Sequence, residues 1–123
     1  SVIEKQMQTL EQIVKVNVRP VRSAVELARM FDASQKCNIH LEPGHLYIKS
    51  KSELGAADIE LDLVSPLPDA LNGKIVMVNS AYLIDAMASC LDDEVSLILS
   101  SIDGKALVFD DGSKTELIMP MRG

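Results

Sequence analysis

Tryptophan is absent, and two Tyr and two Phe are the only large aromatic rings among 123 residues. Any core must therefore be filled by aliphatic side chains, which the 47% hydrophobic content supplies. Only two cysteines occur, Cys37 and Cys90. They fit no metal-ligand spacing and make no disulfide framework, so they read as reduced, small apolar residues of a cytoplasmic protein. No run of eighteen apolar residues and no export signal is present, which leaves no membrane partner to expect. Basic residues are in deficit, 12 against 18 acidic, for a net charge of -6. That balance excludes a strongly basic nucleic-acid footprint over the whole chain, though one face can still be locally basic.

Catalytic signatures are missing as well. No nucleophile motif, phosphate-cradling glycine loop or H-E-x-x-H pattern appears, so no enzyme activity and no cofactor are expected. His40 and His45 flank a tight turn with Glu42 between them. Two His and a Glu supply too few ligands for a zinc hydrolase, and surface strand histidines are the simpler reading. Asp92-Asp93 and Asp110-Asp111 read as solubilising turn charge.

A repeated pattern dominates what is present. Ile13-Val14-Lys15-Val16-Asn17 recurs as Ile75-Val76-Met77-Val78-Asn79. After the first copy, Pro20 is expected at the first helical position of a helix over about 20–33. Its apolar stripe would be Val21, Val25 and Ala28, with Leu27 and Phe31 as further members. Three strand-like runs follow: Cys37–Leu41, His45–Ser50 across the Pro43-Gly44 turn, and Asp58–Val64. In the last, Ile59, Leu61 and Leu63 alternate with Asp58, Glu60 and Asp62, which predicts a half-buried strand with an acidic outer face.

After the second copy, Asn79 is a plausible N-cap for a helix over about 80–91, with Leu83, Ala86, Met87 and Cys90 as its apolar stripe. Strands are expected at Val95–Ser100, Ala106–Phe109 and Thr115–Met119, separated by the Asp103-Gly104 and Asp111-Gly112 turns. Residues 65–73 are a loop by composition. The order strand, helix, three strands is thus used twice, over about 13–64 and 75–121. Neither half can bury its apolar face alone. The expected fold is α+β, an internally duplicated β-α-β-β-β unit with two helices packed on two antiparallel sheets. Residues 1–12, polar and weakly patterned, read as a linker or arm. A start at Ser1 fits a processed terminus, a cloning remnant or a cut within a longer protein.

The C-terminal Leu117-Ile118-Met119-Pro120-Met121-Arg122 reads either as an edge strand with a frayed end or as the wall of an apolar groove. Methionine adapts to irregular apolar partners, and Pro stops strand pairing. Together with Val78-Asn79-Ser80-Ala81-Tyr82-Leu83-Ile84-Asp85-Ala86, this ending resembles the bacterial DNA polymerase III β subunit, the sliding clamp, in its C-terminal domain. The resemblance covers roughly residues 13–122. Clamps of that family surround duplex DNA with six such domains, three per chain, helices lining the hole. The resemblance implies a non-catalytic DNA-clamp fold and an apolar groove that takes short linear motifs of polymerases, clamp loaders and repair proteins. It places Asn79 and Tyr82 at the groove rim and Leu117, Ile118, Met119, Pro120, Met121 and Arg122 in its wall.

The resemblance turns the first helix toward DNA. Arg19, Arg22 and Arg29, with Lys15 nearby, then face the phosphates, interrupted by Glu26; spacing alone reads equally as a solvated face. Met30 and Phe31 fall near the contact with the next protomer, or else close the core stripe. The second helix carries no Lys or Arg, so one copy should hold DNA barely or not at all. Two departures stand out: Gly123 follows Arg122 where the family ends on an apolar residue, and Lys36 stands near a position some members fill with an apolar residue. A stand-alone peptide- or clamp-binding module that does not encircle DNA is the alternative reading.

Overall fold

A computed structural model describes residues 11–30, 36–53, 55–90, 92–100, 107–112 and 114–121. The chain runs β1 (Glu11–Asn17), α1 (Val18–Arg29), β2 (Lys36–Glu42), β3 (His45–Ser52), β4 (Gly55–Asp62), β5 (Ile75–Asn79), α2 (Ser80–Ala88), β6 (Glu94–Ser100), β7 (Leu107–Asp110) and β8 (Thr115–Ile118). A single 3-10 turn, Asp69–Leu71, interrupts the loop between β4 and β5 and seats Leu71 in the core. The β-α-β-β-β order occurs twice, and every strand pair is antiparallel.

The strands do not stay with their own half. One sheet has the order β1-β6-β7-β8 and the other β4-β3-β2-β5. Each half thus lends its first strand to the sheet of the other. Register shows the exchange: Val14 faces Leu97 and Val16 faces Val95, while Cys37 faces Val78 and Ile39 faces Val76. The two sheets also meet at both margins. At one seam Val16 bridges Leu63, and the Val64 N–H donates to the Lys15 carbonyl at 2.9 Å. At the other, the Met121 N–H donates to the Met77 carbonyl at 2.7 Å. Lys15 and Met77 hold the same place in the repeated pentapeptide, so the seams are counterparts.

Alternation decides the inside. Cys37, Ile39 and Leu41 of β2, Leu46 and Ile48 of β3, Val95, Leu97 and Leu99 of β6, and Leu107 and Phe109 of β7 are all buried. A period of two puts each set on one face. The helices pack against each other, α1 over β2, β3 and β4, α2 against β5 and β8. The outward faces differ. One carries a charge ladder, with Lys49 Nζ 3.6 Å from Asp58 and His45 Nδ1 3.2 Å from Glu60 and 3.4 Å from Asp62. The other carries a cross-strand apolar row, Ile13–Ile98–Val108–Leu117.

Several boundaries differ from those expected. Helix α1 begins at Val18, which moves Pro20 from the first to the third helical position. This is tolerated because the first four helical N–H groups have no partner within the helix. The helix ends at Arg29 rather than 33, and α2 at Ala88 rather than 91. Val18 and Ala24 join the buried stripe, whereas Leu27 is largely exposed, being rotated off that stripe. Strand β4 starts at Gly55 and ends at Asp62, leaving Leu63 as an isolated bridge. Residues 1–10 and the expected Asp103-Gly104 turn lie outside the described residues.

Candidate functional site

Between α2 and β8 lies an open cleft of about 480 Å³. Its helical wall is Tyr82, Asp85, Ala86 and Ser89. The spacing i, i+3, i+4, i+7 places these four on one stripe of α2. Its other wall includes Glu116, Leu117, Ile118 and Met119. A cleft lying over one face of a strand meets alternate residues; one that meets four in succession runs along the strand's edge. Among the described residues, β8 pairs with β7 alone, and the tail meets β5 through the Met121 N–H. Tyr82, Leu117 and Met119 are 64%, 63% and 60% exposed. Three large apolar side chains left this open around one cleft are the principal uncovered apolar feature beside α2.

The local sequence explains why Tyr82 stands where it does. Asn79 ends β5 in an extended conformation and caps α2, its Oδ1 accepting from the Ala81 N–H at 2.9 Å and the Tyr82 N–H at 3.2 Å. The cap fixes the first turn, and Leu83 and Met87 pull the opposite face into the core. Tyr82 is thereby left facing out. Across the cleft, Lys114 Nζ lies 3.0 Å from Glu116. The loop that carries Lys114 is held by Asp111, whose Oδ1 accepts from the Lys114 N–H at 2.7 Å, and by Asp110, which accepts from Gly112 N–H at 2.9 Å. Gly112 adopts φ of 93°, a conformation that favours glycine. At the end of α2, burial, followed by the nearby Asp111 and Glu116, pushes the Cys90 thiol above its ordinary pKa. Its Sγ meets the Ala86 carbonyl at 3.3 Å.

Of the residues expected in the groove, Tyr82, Leu117, Ile118 and Met119 come together. Ile118 does so through its place in the strand, since its side chain is 4% exposed and belongs to the core. Asn79 serves as the cap and does not line the cleft. Pro120 and Met121 are half-buried and lead away to the seam with β5. Arg122 and Gly123 lie outside the described residues, as does Phe31; Met30 is 75% exposed at the end of α1. Lys36 pairs with Asn79 at the start of β2. Sequence reasoning missed Asp85, Ala86, Ser89, Lys114 and Glu116. The first three were legible as the helical continuation of Tyr82.

Arg19, Arg22 and Arg29 are all exposed on α1, opposite its buried stripe. The Arg22 Nε donates to Glu26 Oε1 at 3.1 Å, so one cation of the row is locally compensated. Lys15 is not part of this row. Val14 and Val16 point into the core, and strand alternation sends Lys15 to the outer face. There it lines a cleft with Asp92, Asp93, Glu94 and Asp111. His40 pairs with Tyr47 and His45 with Glu42 across the β2–β3 hairpin. Among the described residues, no group of three or more His, Cys, Asp or Glu is placed to hold a metal ion. No described helix is long and apolar enough to cross a membrane.

The fold is that of a DNA sliding-clamp domain. It is similar to the DNA polymerase sliding clamp from Pseudomonas aeruginosa, with TM-score 0.82 and 17% identity over 94% of this chain and 32% of that one. The DNA polymerase III β chain from Streptococcus pneumoniae is similar at TM-score 0.77 and 19% identity, covering 90% of this chain and 30% of that one. A Pseudomonas aeruginosa sliding clamp bound to griselimycin matches at TM-score 0.79 and 18% identity, covering 92% and 31%. The chain thus spans about a third of the length of the solved clamps it matches. No family model matches the sequence, and no curated protein does either.

Proposed function

We propose that this chain is a non-catalytic clamp domain that forms one arc of a ring around duplex DNA and tethers replication or repair proteins through the α2–β8 cleft. One observation carries the reading: in a fold shared with sliding clamps, Tyr82, Leu117 and Met119 converge, largely uncovered, on a single cleft. Apolar anchors entering such a cleft supply affinity, and a few polar groups fix orientation. The tyrosine adds a ring with a polar tip, suited to a rim that is dry on one side and wet on the other. A ring needs no base readout, only a modestly basic inner face, and Arg19, Arg22 and Arg29 supply that on α1. The domain boundaries follow the two pseudo-repeats, about 13–64 and 75–121; the expected linker or arm over 1–12 is shortened at its end, because Glu11 and Gln12 already pair with Ser100 and Leu99 in β1. Met30, exposed at the end of α1, and Phe31 after it are our candidates for the contact with the next protomer.

Fluorescence titration with a labelled polymerase-tail peptide tests the groove. Tyr82→Ala and Met119→Ala should each weaken binding about 5- to 30-fold, the range for interface residues costing roughly 1 to 2 kcal/mol. Unchanged affinity in both proteins would place the peptide site elsewhere. Helix α2 favours a second reading, since it carries no Lys or Arg to offer to DNA. In that reading the module binds peptides or clamp subunits without encircling DNA. Light scattering of the full natural chain separates the two, a closed oligomer supporting the ring and a monomer the module.

A further inference from the structure

We infer that the α2–β8 cleft selects an extended peptide in which a lysine or arginine lies one or two residues from the apolar anchor, its charge meeting Asp85. The inference rests on the proposed groove and adds the chemistry of the occupant. Among the described residues the cleft is lined by three charged side chains, Asp85, Lys114 and Glu116. Lys114 and Glu116 satisfy each other at 3.0 Å. Asp85 is exposed and, among the described residues, its carboxylate takes part in no ion pair or side-chain hydrogen bond. The described lining therefore presents one uncompensated negative charge among three exposed apolar side chains.

Spacing fixes where the complementary charge must sit. Tyr82 and Asp85 are three residues apart on α2, about 4.5 Å along the helix axis. An extended chain advances about 3.3 Å per residue, so a peptide lying on Tyr82 reaches Asp85 within one or two residues. An extended conformation follows from the wall opposite, where the cleft tracks the outer edge of β8, the last strand of its sheet among the described residues. The overall charge of -6 adds long-range attraction for a cationic partner but cannot select a position within it. The corresponding place in the first half, one pentapeptide repeat earlier, is Ser23, so the charge is particular to the second helix.

Three fluorescein-labelled peptides that share one Leu/Phe anchor core and differ only at the flanking residue, Lys, Gln or Glu, test this. Two sets place that residue one and two positions from the anchor. In one set, the Lys peptide should bind about two- to fivefold tighter than the Gln peptide, the range for exposed ion pairs, and the Glu peptide weaker still. The preference should vanish near 1 M salt, where the screening length is about 3 Å. Asp85→Lys should invert the order, and Asp69→Lys, equal in charge change but outside the cleft, should leave it standing. Equal binding of all three peptides to the native protein, or an order unmoved by Asp85→Lys, overturns the inference. Loss of binding in Tyr82→Ala alongside either result leaves the groove intact and removes only the charge selection. Indifference to Tyr82→Ala removes the groove as well.

Discussion

Replacing Asn79 by Ala should cost this protein about 1 kcal/mol, while the same change at Asn17 should cost almost nothing. Both asparagines end the repeated pentapeptide, and both precede a helix. Only Asn79 uses its side chain as a cap, accepting from the N–H groups of Ala81 and Tyr82. Loss of an Asn cap typically costs 0.5 to 2 kcal/mol, centred near ~1. At Asn17 the side chain makes no cap bond, and Pro20 at the third helical position removes one of the two N–H groups such a cap could serve. The first helical N–H, that of Val18, donates to the Asp93 carbonyl at 2.8 Å. An exposed residue without such a role changes stability by no more than about 0.5 kcal/mol. For 123 residues, an unfolding entropy near 2.1 cal/mol/K per residue turns ~1 kcal/mol into a Tm loss of about 4 °C. Urea unfolding followed by circular dichroism should show the same ordering, with a midpoint shift of roughly 0.5 M for Asn79→Ala. Asn79→Asp should stay near the native value, since Asp caps about as well as Asn. Equal losses at positions 17 and 79, or a large loss in Asn79→Asp, would refute the capping account.

Leu117 and Ile118 are neighbours on β8 that face opposite ways, so their truncations should separate binding from stability. Ile118→Ala should destabilise by about 2 to 5 kcal/mol in thermal or urea unfolding, and Leu117→Ala by no more than about 0.5 kcal/mol while weakening a bound anchor peptide. His40 should make stability pH-dependent. Burial first, then Lys49, lowers its pKa below the ordinary 6.5, against Asp58 and Glu42, which raise it. The unfolded chain then binds more protons than the folded one between the lowered value and 6.5, so stability falls as pH drops through that window. His40→Gln should flatten the decline in unfolding free energy below pH 6.5.

Much of the fold was legible because two independent periodicities agree. The pentapeptide recurs, and the alternation in Cys37–Leu41, His45–Ser50 and Val95–Ser100 marks strands with one buried face. What alternation cannot specify is a strand's neighbour, since any partner that meets the apolar face satisfies it. The exchange of β1 and β5 was invisible for that reason. The cleft was half legible. Tyr82, Leu117 and Met119 could be named from a resemblance, yet the period of two already set Ile118 against its neighbours, and the helical stripe from Tyr82 already pointed to Asp85. Lys15 is the instructive case: between Val14 and Val16, strand geometry alone sends it away from the arginines of α1.

Crossing of the opening strands has a consequence for how the chain is made. As synthesis proceeds, β1 emerges well before the strand it joins, because its partner runs from Glu94 to Ser100. The β2–β3–β4 meander likewise waits for β5 before its inner margin is closed. The first half of this domain thus remains unfinished until β5 and β6 of the second have left the ribosome.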